Sequence, residues 1–266
     1  MSALLQVGVT GIGAWMWGAP DWPSLREVLR GNGNLDENAP VKPAAGVLKT
    51  AERRRAPDSV RVAVEVAQQA CSTAKVDPAN LPCVFASTYG ELAITDYVCE
   101  TLAQTPHELS PTKFHNSVLN APAGYWTIAA DCTAASSAIT AHHWSFAAGL
   151  LEAAAQACAE NTPVLFASCD VASSGPLAEM THTTLAFGMA LVLTPALAGR
   201  PQLHLSLRPT VADALAPAAL ALQAVASDNP ANAHALALLS ALTGRDKASL
   251  ALPLSIGMSL EMEITP

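Results

Sequence analysis

The sequence predicts a layered α/β protein, and three observations carry that prediction. Short apolar runs at Leu4 to Thr10, Leu81 to Ser87, Val164 to Cys169 and Phe187 to Thr194 have the length of strands. Stretches with helical spacing of apolar residues separate them, so the strands are expected side by side with helices across the sheet. The runs lack polar alternation, as strands buried on both faces do.

The first strand runs into Gly11-Ile12-Gly13, which reads as a strand-ending turn. Met16 stands where a dinucleotide-binding loop needs its third glycine, and no helix opens there. Trp22 to Arg30 reads as a helix, and so does Asp58 to Lys75. The latter gathers Val60, Ala63, Val64, Ala67 and Cys71 near one face, turns Arg61, Glu65 and Gln68 outward, and has Asp58 as its expected N-cap. Ser145 to Ala159 is apolar almost all round, with Phe146, Leu150, Leu151 and Ala154 on more than one face, as in a helix buried centrally. Past Pro195 comes an alanine-leucine tract with Pro209, Pro217 and Pro230, then an expected helix at Asn232 to Leu242. Met258, Leu260, Met262 and Ile264 alternate with Ser259, Glu261 and Glu263, which predicts a strand with one solvated face at a sheet edge.

With 266 residues, half of them apolar, the chain can bury a sizeable core. A net charge of -8 disfavours nucleic acid and anionic membrane, which need a positive footprint, and argues against direct docking of an acidic protein. Glu152, Asp213 and His234 interrupt the apolar stretches before they reach membrane-spanning length, so no span is expected. The start lacks a signal-peptide pattern, and a cytoplasmic location is expected. The six cysteines include no pair at zinc-site or redox-dithiol spacing and read as reduced, mostly buried thiols. His142 and His143 are adjacent, and neighbours on a helix or strand point in different directions and do not easily share a metal without other ligands nearby; His107, His115, His182, His204 and His234 are scattered, so no metal site is expected. With no phosphate-binding loop and no Gly-x-Ser-x-Gly elbow, the sequence calls for no cofactor.

Five segments fall in a recognisable order. Val9-Thr10-Gly11-Ile12-Gly13-Ala14 is followed by Ala51-Glu52-Arg53-Arg54-Arg55, which leads into the helix at 58 to 75. Next come Phe85-Ala86-Ser87-Thr88-Tyr89-Gly90, the run from Phe114-His115-Asn116-Ser117 to Ala123-Gly124, and Phe187-Gly188-Met189-Ala190-Leu191-Val192-Leu193. Over about residues 5 to 195 they resemble the N-terminal half of the β-ketoacyl synthases. The resemblance implies a thiolase-like, layered αβα fold. Residues 1–200 are then the synthase-like half, and 201–266 form a reduced strand-helix-strand segment on the same core.

In active synthases a cysteine stands on a tight elbow at the start of a buried helix, whose dipole favours the thiolate. Here that stretch reads Ser137-Ala138-Ile139-Thr140-Ala141-His142-His143-Trp144-Ser145-Phe146. His143, or His142 with a one-residue shift, takes the nucleophile's place. Cys132 falls in the loop before this strand and Cys158 near the far end of the helix. The chain ends at Pro266, well before the family's second-half histidine motifs.

The resemblance therefore implies an inactive, chain-length-factor-like subunit of the kind found with aryl polyene and xanthomonadin-type pathways. Such a subunit pairs with a full-length β-ketoacyl synthase that supplies the cysteine and meets the acyl carrier protein. Phe114, Asn116, Val118, Leu119, Asn120 and Trp126 are the residues expected at the acyl tunnel and the partner interface. A short second half is expected to leave apolar surface for that partner to cover. Two other readings compete: an acyl-thioester hydrolase or transferase using His143 or His142 with Ser136, Ser137 or Ser145, and a homodimeric acyl-binding scaffold.

Overall fold

The computed structural model describes residues 5–197, 199–209 and 225–266. The first strand, β1, is Leu5–Met16, and the helices α1 (Trp22–Leu29), α2 (Thr50–Arg55) and α3 (Asp58–Ala74) follow it. Then come β2 (Cys83–Ala86), α4 (Leu92–Gln104), α5 (Pro111–His115), α6 (Ala121–Ala129), β3 (Ser136–Ile139), α7 (Ser145–Glu160) and β4 (Val164–Asp170). The chain continues through α8 (Ala178–Thr181), β5 (Phe187–Pro195), β6 (Gln202–Arg208), α9 (Ala233–Thr243), β7 (Ala248–Ser255) and β8 (Met258–Thr265). The expected strand start at Leu4 and the alanine-leucine tract around Pro217 lie outside the described residues.

The eight strands form one sheet in the order β3-β2-β4-β5-β1-β6-β8-β7. Only β2 with β3 and β2 with β4 pair in parallel; every other neighbouring pair is antiparallel. Helices cover both faces of the central strands. On one face Val84, Phe166, Met189 and Leu191 pack against α7, α1 and α9, and on the other Phe85, Leu165, Ala190 and Val192 pack against α3 and α6. That double cover is the αβα layering, and it explains why β2, β4 and β5 carry no polar alternation.

Three expectations need correction. Gly11 and Gly13 do not end the strand: β1 continues to Met16, with a bulge between Val9 and Gly11. Their small size serves close approach instead, because a Cβ on Gly11 would run into the carbonyl of Ala70, and one on Gly13 into that of Val66, both on α3. Asp58 does not cap α3 either. Pro57 is the N-cap, Asp58 is paired with Lys42 at 2.8 Å, and the Ser59 N–H is satisfied by Glu91 Oε2 at 2.9 Å. Finally, β8 is not an edge strand but lies between β6 and β7. Leu260, Met262 and Ile264 are buried on one face, while Glu261 and Glu263 of β8 share the opposite face with His204 of β6. The polar alternation therefore reports a one-sided cover rather than an edge.

Candidate functional site

The C-terminal ends of β2, β3 and β4 meet the N-termini of α3 and α7 at one end of the sheet. Between β3 and α7 the chain makes a tight elbow. His142 adopts a left-handed backbone at φ 54°, and the amides of Trp144 and Ser145 donate to the carbonyls of Ala141 and His142. The Ser145 hydroxyl donates to the His142 carbonyl at 2.6 Å and accepts from the Ala141 amide at 2.9 Å, so it locks the elbow as a backbone clamp. Both imidazoles are exposed, with ring centroids 3.8 Å apart, and the Tyr89 ring meets His142 edge-on at 6.4 Å. Burial, and then the neighbouring His142, push the His143 imidazole below its ordinary pKa, which favours its neutral form.

Thiols are absent from this elbow among the described residues. Cys132 lies in the loop before β3 with Sγ 3.5 Å from the Leu81 carbonyl, and Cys158 lies in the last turns of α7 beside the Gln6 carbonyl. Burial pushes the thiols of Cys71 and Cys83 up to about 12 and raises that of Cys169 as well, so none of the three is thiolate at neutral pH.

Beneath the elbow lies a polar centre that the sequence reading missed. Asp170, at the end of β4, is buried, and its carboxylate accepts from the Ser87 hydroxyl at 2.8 Å and from the amides of Thr88 at 2.9 Å and Tyr89 at 3.0 Å. Ser87 Oγ accepts in turn from the amide of Gly90 at 2.8 Å, and Gly90 closes the turn at φ +66°. Asn232 Nδ2 reaches the same carboxylate at 3.3 Å, while Asn229 Nδ2 donates to the carbonyls of Asp170 and Leu185. Desolvation raises the Asp170 pKa against the opposing pull of these donors, and burial likewise raises that of Glu91. Two signals were available in the sequence: an acid directly ending an apolar strand, and two asparagines flanking Pro230 inside an apolar tract.

The tunnel and interface candidates divide by environment. Trp126 is fully buried against α3, and Asn116 is buried between the Arg55 carbonyl at 3.1 Å and the Tyr125 hydroxyl at 3.1 Å, so both hold the core and the α5–α6 connection together. Phe114 is 58% exposed and Val118 49%, Asn120 is exposed, and Leu119 is half-buried. Val118 and Asn120 line an open cleft of about 470 Å³ together with Arg55, His115, Tyr125 and Ile128. Among the described residues no cluster of three or more His, Cys, Asp or Glu is arranged to hold a metal, and no helix is long and apolar enough to cross a membrane.

The family model described as "Beta-ketoacyl synthase, N-terminal domain" matches residues 29–254. No curated protein sequence matches the chain. Among solved structures, it is similar to a chain of a ketosynthase (ApeO) in complex with its chain length factor (ApeC) from Xenorhabdus doucetiae, with a TM-score of 0.73, 20% identity, and coverage of 97% of this chain and 99% of that one. A chain of the ishigamide ketosynthase/chain length factor aligns with a TM-score of 0.65 at 15% identity, covering 98% of this chain and 99% of that one. A chain of AntDE:AntF, a type II acyl-carrier protein in complex with its ketosynthase, aligns at 0.69 and 13% identity with the same coverages. At such identities the likeness is one of fold, and the fold is thiolase-like.

Proposed function

The chain belongs to the β-ketoacyl synthase N-terminal domain family, and from that premise we propose that it is a non-catalytic, chain-length-factor-like subunit. In this reading it pairs with an active β-ketoacyl synthase and shapes that partner's acyl tunnel in a polyketide- or fatty-acid-like pathway of the aryl polyene type. The partner supplies the nucleophilic cysteine and meets the acyl carrier protein, and the complex works in the cytoplasm. Residues 1–200 act as the synthase-like half, and 201–266 as a reduced segment on the same core.

One observation supports the proposal: the elbow ahead of α7, the stretch that resembles the synthases' nucleophile elbow, carries the exposed imidazoles of His142 and His143 and no thiol among the described residues. An imidazole there cannot form the acyl thioester that condensation begins from. The hydrolase reading loses one of its three candidate nucleophiles because the Ser145 hydroxyl is committed to the elbow's backbone.

The sheet edges favour a partner along β3. The Cys83 amide donates to the Ala135 carbonyl and the Ser87 amide to the Ile139 carbonyl, so alternate residues of β3 face β2, and the backbone of Ser136 and Ala138 faces away. The opposite edge, β7, is guarded by Pro253 and by an irregularity between Pro253 and Ser255, whereas β3 has neither. The exposed Phe114, Val118 and Ile128 supply apolar surface on α5, α6 and their connection, and α6 packs beside β3.

The test is to co-express the chain with a full-length ketosynthase, weigh the purified species, and assay malonyl-dependent condensation with wild type, His142→Ala and His143→Ala. A one-to-one complex that needs this chain yet tolerates both substitutions is the expected result. An active lone chain disabled by either substitution would sink the proposal.

A further inference from the structure

We infer that Asp170 is a positioning residue: through the 87–90 loop it sets the conformation of the elbow that carries His142 and His143, and it ties that elbow to the 229–232 turn.

The chain of contacts is continuous. The carboxylate collects two successive backbone amides, Thr88 and Tyr89, and the Ser87 hydroxyl, so three donors from one short loop converge on a single buried group. This concave arrangement of amides suits an anion. The loop so held then reaches the elbow three times. The Ser87 amide donates to the Ile139 carbonyl at 3.2 Å, the Thr140 hydroxyl donates to the Thr88 carbonyl at 3.3 Å, and the Tyr89 ring stands edge-on to the His142 ring.

From the other side, Asn232 donates to the carboxylate and to the side-chain oxygen of Asn229, and Asn229 donates to the Asp170 backbone. Both asparagines are fully buried, so neither amide can turn to water for a replacement partner. The amides of Thr184 and Leu185 complete the tie by donating to the Asp228 carbonyl at 2.7 and 3.2 Å. A carboxylate has acceptors only, and every group facing it here is a donor. No other side chain of this size accepts from all four donors without leaving one of them unmade. His142 sits in the left-handed region, a conformation that persists only where surrounding contacts impose it, and the loop anchored by Asp170 supplies such contacts.

The experiment uses the full chain alone and needs no ketosynthase, so it is independent of the proposed partner. Asp170→Asn replaces one acceptor with a donor that must face either the Thr88 and Tyr89 amides or the Asn232 amide. Amide hydrogen exchange is measured at 88–90 and 141–145, and the imidazole proton signals of His142 and His143 are followed by NMR. Exchange at least tenfold faster in both segments, with displaced His142 signals and unchanged exchange in β7 and β8, is expected. Asn232→Ala should shift the same elbow signals in the same direction by a smaller amount. Faster exchange confined to 88–90, with an undisturbed elbow, would overturn the inference, and so would an elbow indifferent to Asn232→Ala. If Asp170→Asn does not fold, Ser87→Ala removes one of the three loop donors and is read by the same two criteria.

Discussion

Ala138→Pro tests the open edge of β3. The Ala138 amide faces away from β2, so proline at this position spares the β2–β3 ladder and removes only a donor that a partner strand would use. The lost bond is worth about 1 kcal/mol, and the carbonyl left unpaired across a buried interface costs about 1–3 more. Together these are about 2–4 kcal/mol, or roughly a 30- to 1,000-fold loss of affinity for the ketosynthase. The ring at the strand edge adds a steric cost in the same direction. Sedimentation or native mass measurement of the mixed chains reads the affinity, and circular dichroism checks that the variant keeps its fold. A folded Ala138→Pro chain with undiminished affinity would refute the reasoning and move the interface away from β3.

Three further outcomes are expected. Gly13→Ala drives a methyl into the Val66 carbonyl on α3, where backbone rather than a flexible side chain must give way, so thermal or denaturant unfolding should show a loss of about 1–3 kcal/mol or more. A Gly13→Ala chain as stable as wild type would mean that α3 does not approach β1 as described. His234 has its pKa lowered by burial, so below the unfolded value the unfolded chain binds more protons than the folded one. Its contribution to stability is complete at pH 7.5 and is lost as pH falls through about 6.5 towards the folded value, and His234→Gln should flatten that part of the stability profile. A thiol reagent added to the native chain should modify exposed Cys99 first and Cys132 and Cys158 more slowly, leaving Cys71, Cys83 and Cys169 until the chain unfolds; early labelling at Cys83, read by peptide mass, would contradict its burial.

The fold was largely legible because its elements are written in local periodicity. The apolar face of α3 at Val60, Ala63, Val64 and Ala67 and the unbroken apolar runs of β4 and β5 need no distant information, and each appears within a residue or two of its expected place. The errors share one cause. Gly11 and Gly13 looked like punctuation because a strand glycine can mark either a turn or a close neighbour, and the neighbour, α3, begins some forty-five residues later. Asp58 looked like a cap because capping is usually local, yet the acceptor for Ser59 is Glu91, 32 residues on.

The sequence by itself determined the α/β class and the segments that resemble a ketosynthase. Tertiary structure alone decided that β6, β8 and β7 extend the same sheet, that β8 lies inside it with β3 and β7 as its edge strands, and that Trp126 and Asn116 hold the core while Phe114 and Val118 face outward. It also decided that Asp170, Ser87 and Asn232 form one centre. The division follows from range. Periodicity, turn chemistry and motif order act over a few residues and leave their mark in the string, whereas strand order, the cover on each sheet face and buried hydrogen-bond partners join distant positions, as where Leu5 of β1 pairs with Leu205 of β6. No short window of sequence records which of several equally apolar segments will become neighbours.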